Sequence, residues 1–489
     1  MTTEKVYAIG KPLPPASLRP TEYGIDPAIV AKRAATHLPE LVSVKIRDLF
    51  PDIPQPIYPS DAGVAAVREA AERKLERVDM SMIKANHSVN ILASHHGFTI
   101  LGGEAYAELL RTIKTVIEKK TGSGNIRLRA GVGLRFRETE EYIKRFKLYE
   151  VFGRGSARGV APIDEGIPIE TEIGTLYGLR AAYDADWIVH AHNSDLREMH
   201  YHRLVDRAIK PFAMSYARVE TRSAYHIGLG PRTANFIARA IFDSAFVQSK
   251  WAFACFLIAS PVGFLGVDAD NDLYALDERL AYTSMKTYGK LVTLLGEIKD
   301  SIVIVDSPGP LSYTFAGGVI FSNFCTANID LFDLEIPLPG FGRYAEAYYD
   351  EARNPFTKDV PPLNPAIKML VINHCWRGYP GEFFSEHIPT VVVGSAMAEL
   401  LRSDSQGPGF MSHAVIADGL ETAMDFAQNA TKTRNILVFD GAGGGLNVSK
   451  PLAEFLLDRA PEVSKRIDEE LMPKWLRQRG MEGPPKRIS

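Results

Sequence analysis

The sequence predicts an α/β protein of two domains, with mainly parallel sheets flanked by helices and the active site in the cleft between the domains. Three observations carry this. The chain has 489 residues, more than one hydrophobic core usually organises. Hydrophobic residues make up 46% and charged residues 24%, the make-up of a folded globular protein. Short unbroken apolar runs recur between stretches of helical periodicity, the pattern of parallel strands buried on both faces and covered by helices.

In order along the chain, Asp61 is placed to cap a helix in which Val64, Val67, Ala71, Leu75 and Val78 recur at helical spacing. Tyr106, Leu109, Leu110, Ile113, Val116 and Ile117 form a second stripe, stopped by Gly122 and Gly124 before a strand with Ile126, Leu128 and Ala130. Trp251–Ala259, continuing to Leu265 past Ser260 and Pro261, reads as a buried strand too short to span a bilayer. Further strands are expected at Trp187–Val189, Ile302–Val305, Met369–Ile372, Val391–Val393, Ala414–Ile416 and Ile436–Phe439. Helical patterns fall at Leu276–Ile298, Glu421–Ala427 and Val448–Leu457. The boundary between a domain of residues 1–298 and one of 299–489 is set where the long helical pattern ends near Lys299. The proline-rich Ala352–Pro365 is a second candidate linker.

Composition excludes several classes. The formal net charge is -3 and the charges are interspersed, so the basic face of a nucleic-acid binder is missing. Cys255, Cys325 and Cys375 lie far apart with no CxxC spacing, which fits neither a disulfide framework nor a cysteine metal site. Residues 1–20 lack the charged start and apolar run of a signal peptide. The expectation is a cytoplasmic protein acting on a small molecule, with no nucleic-acid or membrane partner and an oligomeric state on which the sequence is silent.

The chemistry is expected in the stretch from His190 to His226, which holds five of the 12 histidines. They begin at the carboxyl end of the strand Trp187–Val189, where open α/β sheets bind ligands. His190 and His192 share a face if that strand runs on. The plainer reading is that such histidines are surface groups or hydrogen-bonded core residues. His200, however, is followed by Lys210 after ten residues and by His226 after a further sixteen.

That triple resembles the lactate racemase family of nickel-pincer enzymes. The resemblance implies that His200 is an acid/base, that Lys210 anchors the nickel-pincer nucleotide covalently, and that His226 ligates the nickel. Asn125–Gly133 with Arg135, the segment Gly166–Ile169 and the strand Ala185–Val189 are weaker echoes, so that the likeness runs over about residues 91–230. It implies a racemase or epimerase of a 2-hydroxy acid, with sugar acids among the candidates. Hydride removal to a cofactor avoids making a carbanion from a very weakly acidic C–H bond, while a histidine titrating near neutrality handles the hydroxyl proton. Without the flanking histidines, Lys210 reads as an ordinary surface lysine.

Two departures bear on the substrate. Leu134 stands where the family has its second acid/base histidine, and Ser94–Phe98 occupies about the place of the family's early Asp-x-Thr-Arg-Pro segment. Arg135 remains as a guanidinium for a substrate carboxylate, or as an ordinary ion-pair partner. His96, with His95, is a candidate replacement base. The run Asp440–Leu446, after a strand and ahead of a helical pattern, leaves a nicotinamide-dependent dehydrogenase as an alternative; its third required glycine falls on Leu446, and a tight turn binding an anion is preferred. A non-catalytic relative that binds a small acid is the third reading. Ser307–Pro310 and Ala316–Gly318 are further turns expected beside the cleft.

Overall fold

The computed structural model describes residues 8–13, 32–131, 136–194, 196, 208–224, 234–307, 318–325, 328–336, 363–375, 382–403, 409–440, 443–481 and 483. Its strands are β1 (Ile9–Gly10), β2 (Leu41–Lys45), β3 (Ser88–Ser94), β4 (Asn125–Gly131), β5 (Ala157–Val160), β6 (Gly166–Thr171), β7 (Gly174–Leu179), β8 (Trp187–Asn193), β9 (Trp251–Ser260), β10 (Gly263–Asp270), β11 (Ser301–Asp306), β12 (Ile367–His374), β13 (Thr390–Val393), β14 (Ala414–Ala417), β15 (Ile436–Phe439) and β16 (Gly445–Ser449). The apolar runs lack polar alternation because both faces are covered: every residue of β11, β13 and β15 is buried.

The described residues fall into two compact units, one of residues 55–196 and 208–284, the other of 8–54 and 285–483. The first is built on a six-stranded sheet of order β10-β9-β8-β3-β4-β5, parallel from β9 through β5, with β10 antiparallel at the edge. Phe212, Tyr216, Ile237, Ile241 and Phe242 pack on Ile188, Ala254 and Phe256. The helix Glu104–Thr121 buries Leu109, Ile113 and Ile117, and ends at Gly122, whose φ of 73° suits glycine. β6 and β7 form a separate antiparallel pair.

The second unit is built on an eight-stranded sheet of order β1-β2-β16-β15-β11-β12-β13-β14. β15, β11, β12, β13 and β14 are parallel; β16, β2 and β1 continue it antiparallel. Its core joins Leu38 and Leu41 to Ile302, Ile304, Val371, Val391 and Val438. Residues 41–45 pair with Gly445–Ser449, about 400 residues away in sequence, a pairing that local periodicity does not announce. Mixed α/β architecture with large, mainly parallel sheets flanked by helices is therefore the fold class.

Several local expectations are corrected. The helix Val64–Leu75 starts after Gly63, with no side-chain cap, and Asp61 is exposed. Trp251–Leu265 is the start of a hairpin, β9 and β10, because Pro261 and Val262 turn the chain back. Val448 lies in β16, and the helix after it is Lys450–Arg466. The glycine-rich run joins two antiparallel strands, β15 and β16, so it is not the strand–turn–helix of a dinucleotide fingerprint. Ala352 to Pro362 lies outside the described residues.

Candidate active site

The carboxyl ends of β3, β4 and β8 lie side by side in the first unit, since these strands are parallel neighbours. Each ends on a small or polar residue: Ser94, Gly131 and Asn193. β8 runs four residues past the expected Val189, and carries His190 and His192 inward on one face, ring centroids 5.9 Å apart.

His190 is fully buried and is held at both nitrogens. Nε2 lies 2.8 Å from the carbonyl of Ala208, which can only accept, so Nε2 carries the hydrogen. Nδ1 then accepts from the hydroxyl of Tyr216 at 3.0 Å. Burial, with the neighbouring His192 as a smaller cause, pushes the His190 pKa down to about 3. A ring so committed is a neutral structural post, the bland reading of this histidine.

What the post supports is the segment 208–217. Ala208 to Ala213 are buried, and Lys210 opens a 3-10 turn, Lys210–Phe212, with Pro211 beside it. Lys210 is only 5% exposed. The surface-lysine reading therefore fails, since lysines are almost never fully buried without a dedicated role or partner. Farther along, Ser215 Oγ is 3.0 Å from Ser94 Oγ, and the Ser215 carbonyl presses on Gly131, where a Cβ would come within 2.2 Å of that oxygen. Lys210 thus rides on a segment tied to β8 at Ala208 and to the ends of β3 and β4 at Ser215.

Tyr106 locks the same strand ends. Its hydroxyl donates to the Ala191 carbonyl at 2.6 Å and accepts from the Ser94 amide at 3.1 Å; burial raises its pKa well above the usual phenol range. Gly97 admits the ring, because a Cβ there would sit 2.2 Å from it. His95 and His96 form the first turn after β3, with His95 buried and edge-on to His96 and Tyr142, and His96 half-buried. Arg222, on the helix Val219–Ser223, is 8% exposed, and burial lowers its pKa to about 10. It stays cationic at neutral pH.

His200, Arg135, His226 and Leu134 lie outside the described residues. Lys210 and His96 are therefore the described members of the expected set. Among the described residues no group of three or more His, Cys, Asp or Glu is arranged to hold a metal, and no helix is long and apolar enough to cross a membrane.

No protein-family model matches the chain, and no curated protein matches its sequence. The chain is similar in structure to a lactate racemase apoprotein. That protein, from Thermoanaerobacterium thermosaccharolyticum, is 13% identical; the match covers 77% of this chain and 92% of that one, at a TM-score of 0.40. A likeness at that level assigns neither family nor activity.

Proposed function

We propose that the chain is a racemase or epimerase of a 2-hydroxy acid that works with a nickel-pincer nucleotide. The observation that carries the reading is the burial of Lys210 on a segment whose Ser215, five residues on, meets the carboxyl ends of β3 and β4, in a sequence that spaces His200, Lys210 and His226 in the pattern that resembles that family. A buried amine on an anchored turn fits a group that is to be joined covalently to a cofactor, and a solvated lysine would not. When bound, the cofactor supplies a hydride acceptor for the carbon bearing the hydroxyl.

The chain's own residues then divide the remaining work. Lys210 anchors the cofactor, and His226 offers a neutral imidazole to the metal. His200 takes the hydroxyl proton and returns it. Arg135 pairs with the substrate carboxylate through two parallel hydrogen bonds, and His96 stands as the candidate base replacing the histidine lost at Leu134. The test is intact mass and nickel content of protein made together with the cofactor's biosynthetic enzymes. A covalent increment that disappears in Lys210→Ala, with nickel retention falling in His226→Ala, supports the reading; full mass and nickel in both variants would overturn it.

A further inference from the structure

The eight-stranded sheet has its own topological switch. From β11 the chain proceeds outward to β12, β13 and β14, then returns to place β15 on the other side of β11. In open α/β sheets ligands bind beyond the carboxyl ends of strands at such a reversal. The reversal falls between β11 and β15; beside it, on the β12 side of β11, the registered neighbours Asp306 and His374, the last residues of β11 and β12, form a dyad in which both side chains are wholly buried.

Asp306 receives three N–H groups. His374 Nδ1 lies 2.5 Å from Oδ1, Asn373 Nδ2 donates to the same oxygen at 2.9 Å, and the Ala35 amide donates to Oδ2 at 2.5 Å. This fixes the His374 ring, with Nδ1 directed at the carboxylate and Nε2 left as a hydrogen-bond acceptor. His374 Nε2 is buried and has no hydrogen-bond partner among the described residues. Two further buried atoms in the same cluster share that condition, Asn373 Oδ1 and Arg33 Nε. Arg33 donates from its guanidinium to the Asn373 carbonyl at 3.0 Å, and lies against Gly394 at the end of β13. A buried polar group left without a partner destabilises the fold, so three of them among the described residues, joined through Asp306 and Asn373 at a sheet's carboxyl edge, point to a use other than holding the fold.

We propose that Asp306, His374 and Arg33 form a second small-molecule site, which takes a small acid bearing a hydroxyl group. The hydroxyl donates to His374 Nε2, and the carboxylate pairs with the Arg33 guanidinium. An imidazole oriented in this way accepts the hydrogen bond of the hydroxyl without first having to reorganise. The site uses none of His200, Lys210 and His226, and does not depend on the cofactor.

The test uses cofactor-free full-length protein with 15N-labelled histidine, and glycolate and acetate as probes, since acetate lacks the hydroxyl. The informative variant is His374→Asn, whose amide keeps an N–H near the place of Nδ1, and so the bond to Asp306, but lacks the Nε2 acceptor. Glycolate should shift the His374 Nε2 resonance, identified by its loss in His374→Asn, and acetate should leave it in place. By calorimetry His374→Asn should weaken glycolate at least about tenfold, the scale of one lost hydrogen bond, without changing acetate binding. Arg33→Gln should weaken both. An unmoved Nε2 resonance at saturating glycolate, or no glycolate binding at all, overturns the proposal even if His374→Asn folds poorly, because the resonance is read in the unmutated protein. The mass increment on Lys210 is a separate readout, so either reading can fail alone.

Discussion

The His190 Nε2–H reaches from β8 to the carbonyl of Ala208 at 2.8 Å, two residues before Lys210. With the Tyr216 hydroxyl on its other nitrogen, this ring ties both ends of the lysine-bearing turn to the sheet. His190→Phe would leave two buried groups unpaired, at about 1–3 kcal/mol each. Chemical denaturation should show a loss of that size. Unchanged stability would mean that the turn is held by other contacts.

The same ring predicts acid sensitivity. Its folded pKa of about 3 is below the usual 6.5 of histidine, so between those values the unfolded chain binds a proton that the folded chain does not. Stability from this group is complete above about pH 6.5 and is lost as the pH falls toward 3, by up to about 1.4 kcal/mol per pH unit. His190→Gln retains an N–H near Nε2 and does not titrate. Denaturation midpoints measured from pH 4 to 7 should therefore slope less steeply in His190→Gln than in the wild type; parallel slopes would refute the assignment.

Gly131 allows the Ser215 carbonyl to approach β4, and a methyl at 2.2 Å from that oxygen has no room against backbone. Gly131→Ala should cost about 1–3 kcal/mol, the usual range for overpacking, and should lower the covalent loading of Lys210 as the turn shifts. A thermal melt and an intact mass on the same sample check both. Equal loading in the two proteins would separate Gly131 from the site.

The proposed hydride route makes an isotopic prediction. With substrate deuterated at the carbon bearing the hydroxyl, and ordinary water as solvent, the epimer should keep its deuterium and show a primary isotope effect. His200→Ala should slow turnover about 10²-fold or more, the scale for losing a general base. Complete washout of deuterium would require proton abstraction in place of hydride transfer.

Leu134→His tests the proposed assignment of Leu134 to the place of a second acid/base histidine. If unlike groups serve the two faces of the substrate, restoring the histidine should leave activity on the natural substrate no higher. A large gain would point to a decayed lactate racemase.

The elements legible in the sequence were those whose burial is set locally. The runs at residues 302–305, 391–393 and 436–439 announced strands because both faces are covered, and the stripe from Tyr106 to Ile117 announced a helix because one face is. Val448 misled because an apolar residue beside a helix start satisfies either period. The glycine run misled because strand–turn–strand and strand–turn–helix share the same turn chemistry.

For the site, spacing alone singled out Lys210, but spacing is blind to burial, and a surface lysine would have had the same neighbours in sequence. That Lys210 is buried follows from contacts at Ala208 and Ser215 with residues 18 to 121 positions away. The Asp306 and His374 pair, 68 residues apart, was invisible for the same reason: parallel strands are joined through long crossovers, so chain order does not tell which strand ends become neighbours. The amino-acid sequence by itself determined the α/β class and the residue types available for chemistry, because hydrophobic periodicity is a local property. Only the tertiary structure decided which histidine is a neutral post, that Lys210 is buried and which carboxylate meets which imidazole, because desolvation and hydrogen bonding belong to the packed sheet and to no single segment of it.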